Sequence, residues 1–450
     1  MAIPLAILIA AIAVHEVLSE QPIFGDPVRF TVAAVVFGAV IPSNTWDIPI
    51  FWGAFALASV AGVLGAREIT RQMVLRRLGH LATFAVVAGG LYAPYFIGYS
   101  SQQLGLALVE GDRTMLGSLF ILFGPLLVLT VLGGALASSA TRLGRTALGF
   151  GVCVAVVLVA VRQPGLGVVA FGLIAWLAVF WERARADDDR IATATAVLAT
   201  LGLASILIPE VVYLRDAFGS RMNTVFKFYY DAWIMLALAA PPLIYELLAV
   251  RRLVGARLAH RPAWHRETAI GVLGATAALA IAGAFYPIFA TPARSGGFGG
   301  QATLDGMAFL RSSRPDDAAA IDWLRQNHPD SGVIEAVGGA YTDAGRFATF
   351  AGTPTLLGWS NHENQWRGVQ PVLQQRDELA RQVYMGSDAS SWATAARGLG
   401  MTYVVVGDLE RQIYGADVSG RIAGALQAAH QNGSTTLYAV PGTSEAVASR

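Results

Sequence analysis

Apolar residues run through this chain in long blocks, not as one face of an amphipathic repeat. Blocks long enough to cross a bilayer as helices lie at roughly 2–18, 28–42, 49–65, 80–98, 115–136, 146–161, 166–181, 191–208, 229–249 and 268–290. They predict ten spans, of which the second and sixth are short. Met1 to Val17 has no basic leader and no clear cleavage site, so it reads as the first span and not as a signal peptide. Beyond Pro292 the blocks stop. The stretch "TPARSGGFGGQ" opens a Gly-rich linker over 291–302. The remainder shows shorter periods, with helices predicted at 303–312, 315–327, 374–385, 389–399 and 418–430 and strands at 332–337, 401–406 and 435–440. Asp316, behind Pro315, falls in a helix cap region. The predicted fold class is a membrane all-α bundle of about ten helices over 1–290, followed by a small soluble α/β domain over 303–450.

Composition sharpens this reading. The chain is 54% hydrophobic and 14% charged, where a soluble domain carries about 25% charged residues. A net charge of +1 argues against a nucleic-acid partner, and the bilayer is the partner that the composition demands. Cys153 is the single cysteine, which excludes an intramolecular disulfide and a cysteine-based zinc site. No Gly-rich phosphate loop follows a predicted strand, so nucleotide binding by the tail has no support.

Arginine placement orients the spans. The connections after spans 3, 5, 7 and 9 carry fourteen arginines, from Arg67 to Arg266, whereas the alternate face carries Arg113, Arg162, Arg215, Arg221 and Lys227. The Arg-rich face is therefore expected in the cytoplasm, in a multi-pass protein of the plasma membrane whose tail from Thr291 lies outside. The polar and aromatic stretches then all fall on the outer face.

Four of these stretches could carry chemistry. In "PSNTWDIP" two prolines favour a broken connection that sets Asn44, Trp46 and Asp47 at the lipid–water boundary. It reads either as a turn with an interfacial Trp anchor or as a substrate-facing loop. In "YAPYFIGYSSQQ" the tyrosines Tyr92, Tyr95 and Tyr99 suit an aromatic belt, while Ser100, Ser101, Gln102 and Gln103 could meet sugar hydroxyls or simply form a polar loop. Between spans 8 and 9, Glu210, Arg215, Asp216, Arg221, Asn223 and Lys227 fall within eighteen residues. Charge at bilayer depth costs roughly 2.5–3.5 kcal/mol, so such residues are kept when paired or functional. Arg221 and Lys227, the chain's one lysine, would match a phosphate or pyrophosphate, with Asn223 and Tyr230 near the same helix face. The alternative is snorkelling with internal Asp–Arg pairs. In the tail, Trp359, His362, Glu363, Gln365, Trp366 and Arg367 crowd one loop. "HENQW" lacks the second histidine of a zinc protease. It reads equally as a carbohydrate platform or as a plug that holds the tail to the membrane.

Taken in order, "SNTWD", "YAPYFIGYSSQQ", "LRDAFGSRMNTVFKFYYDAW", "GRFATFAGTPTLLGWSNHENQWRG" and "YVVVGDLERQIYG" resemble the YYY-type (Chlor_Arch_YYY) membrane proteins over nearly the whole chain. That group resembles the GT-C glycosyltransferases, which take a sugar from a polyprenyl-phosphate donor. The resemblance implies such a lipid-linked sugar as donor substrate, leaves a divalent metal open, and matches the C-terminal portion of a member. Further spans would precede Met1, and with them the outer loop in which GT-C enzymes commonly place their catalytic acid. Among the acids present, Asp47 and Asp216 are the candidates for catalytic base. The expected function is a GT-C-like transferase or its C-terminal portion, with an Arg221→Ala variant that folds but does not transfer sugar. A transporter or flippase of a lipid-linked or polar solute, or a non-catalytic scaffold, is the alternative.

Overall fold

The computed structural model describes residues 2–19, 23–97, 99, 105–111, 113–186, 189–216, 219–252, 263–300, 302–367, 371–386 and 388–442. The chain divides into two compact units, Met1–Phe298 and Gly299–Arg450.

The first unit is helical, with a helix on each predicted block: α1 (Ala2–Leu18), α2 (Pro27–Ser43), α3 (Ile48–Leu64), α4 (Arg71–Leu91), α5 (Leu116–Ser138), α6 (Arg142–Ala160), α7 (Pro164–Ala186), α8 (Arg190–Leu207), α9 (Met222–Arg252) and α10 (Ala263–Arg294). Among the described residues eight helical segments are long and apolar enough to cross a bilayer, α3 counted with the turn before it as Thr45–Leu64; α1 and α2, at 17 residues each, fall short. Side chains cap several starts. Asp26 accepts from the Val28 and Arg29 amides ahead of Pro27, and Thr70, Thr141 and Asp189 do the same for α4, α6 and α8.

Helix α8 is the most buried, with α3, α7 and α9 packed around it. Gly202 lets α9 approach: a Cβ there would meet the Leu236 side chain. On α5, Gly134 lies under the Trp176 ring of α7, whose Nε1 donates to the Thr130 carbonyl at 2.8 Å. Helices α4, α6 and α10 are peripheral and turn apolar side chains outward, as lipid-facing helices do. At one end of the bundle the strands β1 (Leu106–Leu108) and β2 (Val212–Leu214) pair antiparallel, with Ala107 opposite Tyr213. They tie the α4–α5 connection to the α8–α9 connection.

Several helices outrun the predicted blocks, among them α10, which reaches Arg294 inside the expected linker, and two differences move candidate site residues. Helix α4 begins at Arg71 and ends at Leu91, so Tyr92 to Phe96 form a cap and a 3-10 turn beyond the helix. Helix α9 begins at Met222, so Asn223 and Lys227 lie within its first turns. Hydropathy marks the bilayer core and is blind to polar helix ends.

In the second unit four strands, β3 (Gly332–Ile334), β4 (Met401–Val406), β5 (Gln427–Asn432) and β6 (Thr435–Ala439), form a sheet in the order β3-β4-β6-β5. β3 and β4 are parallel, and the other pairs are antiparallel. Alternate residues of β4 serve two cores. Tyr403 and Val405 meet α11 (Ala308–Ser313), α12 (Pro315–Asn327) and α13 (Arg346–Ala351) through Leu310, Ile321 and Phe347. Val404 and Val406 meet α15 (Pro371–Met385), α16 (Ser390–Gly398) and α18 (Val418–Ala425) through Tyr384, Trp392 and Ile422. Between them run α14 (Ser360–Arg367) and α17 (Asp408–Tyr414). The helix expected over 418–430 ends at Ala425, and the next residues become β5. Gly433, at φ 50°, turns β5 into β6, and pairing with β6 overrides the local helix preference of "QAAHQ".

Candidate functional site

The α8–α9 connection folds inward before it reaches α9. A 3-10 turn, Ile208–Glu210, leaves Glu210 only 1% exposed. A buried carboxylate needs donors on both oxygens, and here three residues supply them. Thr114 donates from its amide at 2.8 Å and its hydroxyl at 2.6 Å, the Tyr229 hydroxyl at 2.7 Å, and Arg221 Nη1 at 2.7 Å. Arg113 donates to the Glu210 carbonyl at 3.0 Å and to that of Val109 at 3.2 Å. Glu210 thereby ties the start of α5 to the start of α9.

Arg221 is only partly covered, and two cavities meet at Ser220 and Arg221. One, of about 900 Å³, is an apolar groove between α9, α5 and the start of α1, lined chiefly by Phe226, Tyr229, Tyr230 and Trp233 with Leu122 and Ile3. The other, of about 540 Å³, lies over the β1–β2 pair and takes in Glu110, Tyr213 and Arg215. A hydrocarbon surface, a guanidinium and a polar recess thus follow one another in space.

The other side of α9 is built differently. Positions 222, 226, 229 and 233 share the groove face, while 223, 227 and 231 follow one another at i+4 on another. Asn223 Nδ2 donates to Asp216 Oδ2 at 2.5 Å. Lys227 lies over the Phe226 ring, 5.7 Å from its centre, and its charge acts on Asp47 and Asp231. Asp47 sits in a 3-10 turn, Thr45–Asp47, between α2 and α3, where Asn44 donates to it. Trp46 is half-buried in that turn.

The structure therefore brings Arg221 and Arg215 to one recess, Asn223 to Asp216, and Asn44 and Lys227 to Asp47. Arg221 and Lys227, expected to clasp one phosphate together, are turned to different neighbours. Tyr95 stacks near Tyr99, with ring centres 4.8 Å apart, whereas Gln102 lies outside the described residues. Sequence reasoning missed Thr114, Tyr229 and Asp231. Asp231 was legible as an acid inside an apolar helix, four residues after Lys227. Thr114, more than 90 residues before Glu210, carried no local signal. Among the described residues no group of three or more His, Cys, Asp or Glu side chains gathers as metal ligands. The acid pair present has Lys227 beside it, a donor set poorly suited to a divalent cation.

In the second unit, Trp359 Nε1 donates to the Ala344 carbonyl at 2.7 Å, and its ring forms a surface cluster with His362 and Tyr341. Tyr341, at φ 62° and 84% exposed, was not anticipated. Glu363 is half-buried on α14; the side chains of Gln365, Trp366 and Arg367 lie outside the described residues. Two other segments of the resemblance meet inside this unit. Arg346, from "GRFATF", donates to Asp317 at 2.7 Å and to both oxygens of Glu410, from "GDLER", at 3.0 and 2.8 Å. Burial works to raise the Glu410 carboxyl, but Arg346 and the Ala336 and Gly407 amides outweigh it and hold it below the usual range. Glu335 accepts from the Phe347 and Ala348 amides at the start of α13, yet burial pushes it up to about 7.

That shift has a signed consequence. The unfolded chain titrates this carboxyl near 4.5 and the folded chain near 7, so the folded state binds the proton more tightly. Its stabilisation is complete below about pH 4.5 and is lost as pH rises through 7, by roughly 3 kcal/mol at most. Glu410 has the opposite sign and acts below its unfolded value. Hydrogen exchange of β3 and α13 in the full chain, corrected for intrinsic rates, is expected to quicken across that window. Glu335→Gln should flatten the change; an unchanged slope would remove Glu335 as its cause.

No curated protein and no solved structure matches the chain. Residues 1–236, over half of its length, match the family described as uncharacterized membrane protein (DUF2298), and the chain belongs to that family of membrane proteins.

Proposed function

We propose that this multi-pass membrane protein binds a polyprenyl-phosphate-linked sugar and acts as a GT-C-like glycosyltransferase. The observation that carries this reading is the meeting of the two cavities at Ser220 and Arg221. An isoprenoid tail suits the groove of Phe226, Tyr230 and Trp233. The phosphate suits the charge of the Arg221 guanidinium, which lines both cavities while turned to Glu210, the Pro209 carbonyl and the Thr114 hydroxyl. The sugar suits the polar recess beside Arg215. The resemblance to YYY-type proteins and the arginine bias support an outward-facing site, with the Arg-rich end cytoplasmic and the second unit extracytoplasmic.

In a transfer reaction the acceptor hydroxyl attacks the anomeric carbon, the bond to the phosphate oxygen breaks, and a base takes the hydroxyl proton. Asp216, held by Asn223 beside the Arg215 recess, is the nearer in sequence of the two candidates.

The test is incubation of the full chain in lipid vesicles with a radiolabelled polyprenyl-phosphate sugar and a panel of hydroxyl acceptors. Label is expected to move into a water-soluble or peptide-linked product, and the exposed groove variants Phe226→Ala and Trp233→Ala should lower the rate about tenfold, as a lost apolar contact of about 1.4 kcal/mol would. Movement of intact labelled lipid between leaflets without transfer would replace this reading with a flippase.

A further inference from the structure

On the face of α9 turned away from the groove, two buried acids lie together. Asp47 is 3% exposed and Asp231 2% exposed. Asp231 Oδ2 receives no hydrogen bond, and the neighbouring side chain is the Asp47 carboxyl. Asp47 already accepts from Asn44, which leaves no amide donor visible between the two acids.

Two ionised carboxylates facing each other in a poorly polarisable interior repel strongly. One proton removes the conflict by making one acid a donor and the contact an O–H···O bond. Charge counting leads to the same place. Asp231 is faced by Asp47, from the turn before α3, and by Lys227 of its own helix; Asp47 is faced by Lys227, Asp231 and the neutral Asn44. The facing stretches 2–14 of α1, 191–207 of α8 and 48–64 of α3 carry no ionisable side chain. Two carboxylates and one ammonium leave a single negative charge, and a single proton cancels it. A divalent ion would overshoot and be repelled by Lys227.

We propose that Asp47, Asp231 and Lys227 form a proton-binding site in which the two acids hold one proton between them. The site is independent of the lipid reading, because it lies on another face of α9 and shares no residue with the groove. It also recasts Asp47, whose carboxyl is committed to Asp231 and is not a lone base at the membrane boundary.

Isotope-edited infrared spectroscopy of the full chain in neutral buffer tests this. A protonated-carboxyl band is expected that shifts when aspartate carries carbon-13 in its side-chain carboxyl; Glu335 would not follow that label. Asp231→Asn and Asp47→Asn should each abolish the aspartate band and still fold, because an amide can donate where the acid did. Absence of any aspartate band in the unmodified chain would overturn the proposal, whether or not the variants fold. A band that survives both substitutions would do the same. So would melting that depends on sodium in a chain lacking the band, since the site would then hold a metal cation.

Discussion

Replacing Arg221 by alanine is expected to destabilise the first unit by about 3–5 kcal/mol, the usual cost of stripping one partner from a buried ion pair. Glu210 would remain almost fully buried, with Thr114 and Tyr229 but without its ion-pair partner. The sequence alone suggested that this variant would fold and lose only transfer. The geometry changes that expectation, since Arg221 serves both the groove and the fold. Arg221→Lys keeps the charge but cannot span Glu210 and the cavities in the same way, so it should cost less stability while still weakening anion binding. Glu210→Gln should fall between the two. Melting of the purified chain in detergent checks the order. If Arg221→Ala melts like the parent chain, the Glu210 cluster is not what secures this end of the bundle.

Arg346→Met should have an effect of similar size, confined to the second unit. Its guanidinium is almost fully enclosed and is the shared partner of Asp317 and Glu410. Removing it leaves two buried carboxylates without a cation, again about 3–5 kcal/mol. Glu410 also accepts from the Ala336 and Gly407 amides, so β4, α17 and the segment after β3 should loosen together. Hydrogen exchange in the full chain would show β4 and α13 opening while α7 and α8 keep their protection. Replacing Arg346, Asp317 and Glu410 together by apolar residues of similar volume should recover much of the loss, because well-packed hydrophobic replacements of buried ion clusters are often neutral or better.

The apolar blocks made the helices of the first unit legible, because a long uncharged run has few other uses. Their ends were not legible. Arg71, Arg76 and Arg77 are charged yet helical in α4, and hydropathy stops short of them. In the second unit β4 announced itself as "TYVVV", whereas β5, "QAAHQN", has neither β-branched nor aromatic residues, and only its pairing with β6 makes it a strand. The Gly-Ser at 433–434, between the paired Asn432 and Thr435, was a readable hairpin signal. At the candidate site the charged residues between α8 and α9 stood out by composition. Their partners did not: Thr114 reaches Glu210 from the connection before α5, and Asn44 and Asp47 meet α9 only through the fold. The tail segments that carry the resemblance divide into an interior ion cluster at Arg346 and a surface aromatic cluster at Trp359. Spacing in sequence does not separate those two outcomes.

The most direct measurement is native mass spectrometry of the full chain titrated with a polyprenyl phosphate, with the uncharged polyprenol and inorganic phosphate as separate probes. One molecule of the phosphate lipid should bind, more tightly than either probe alone, and Trp233→Ala should weaken it about tenfold with unchanged melting. Equal binding of the phosphate lipid and the alcohol, or affinity untouched by Trp233→Ala and Arg221→Lys together, would contradict the assignment of this groove to an anionic isoprenoid lipid.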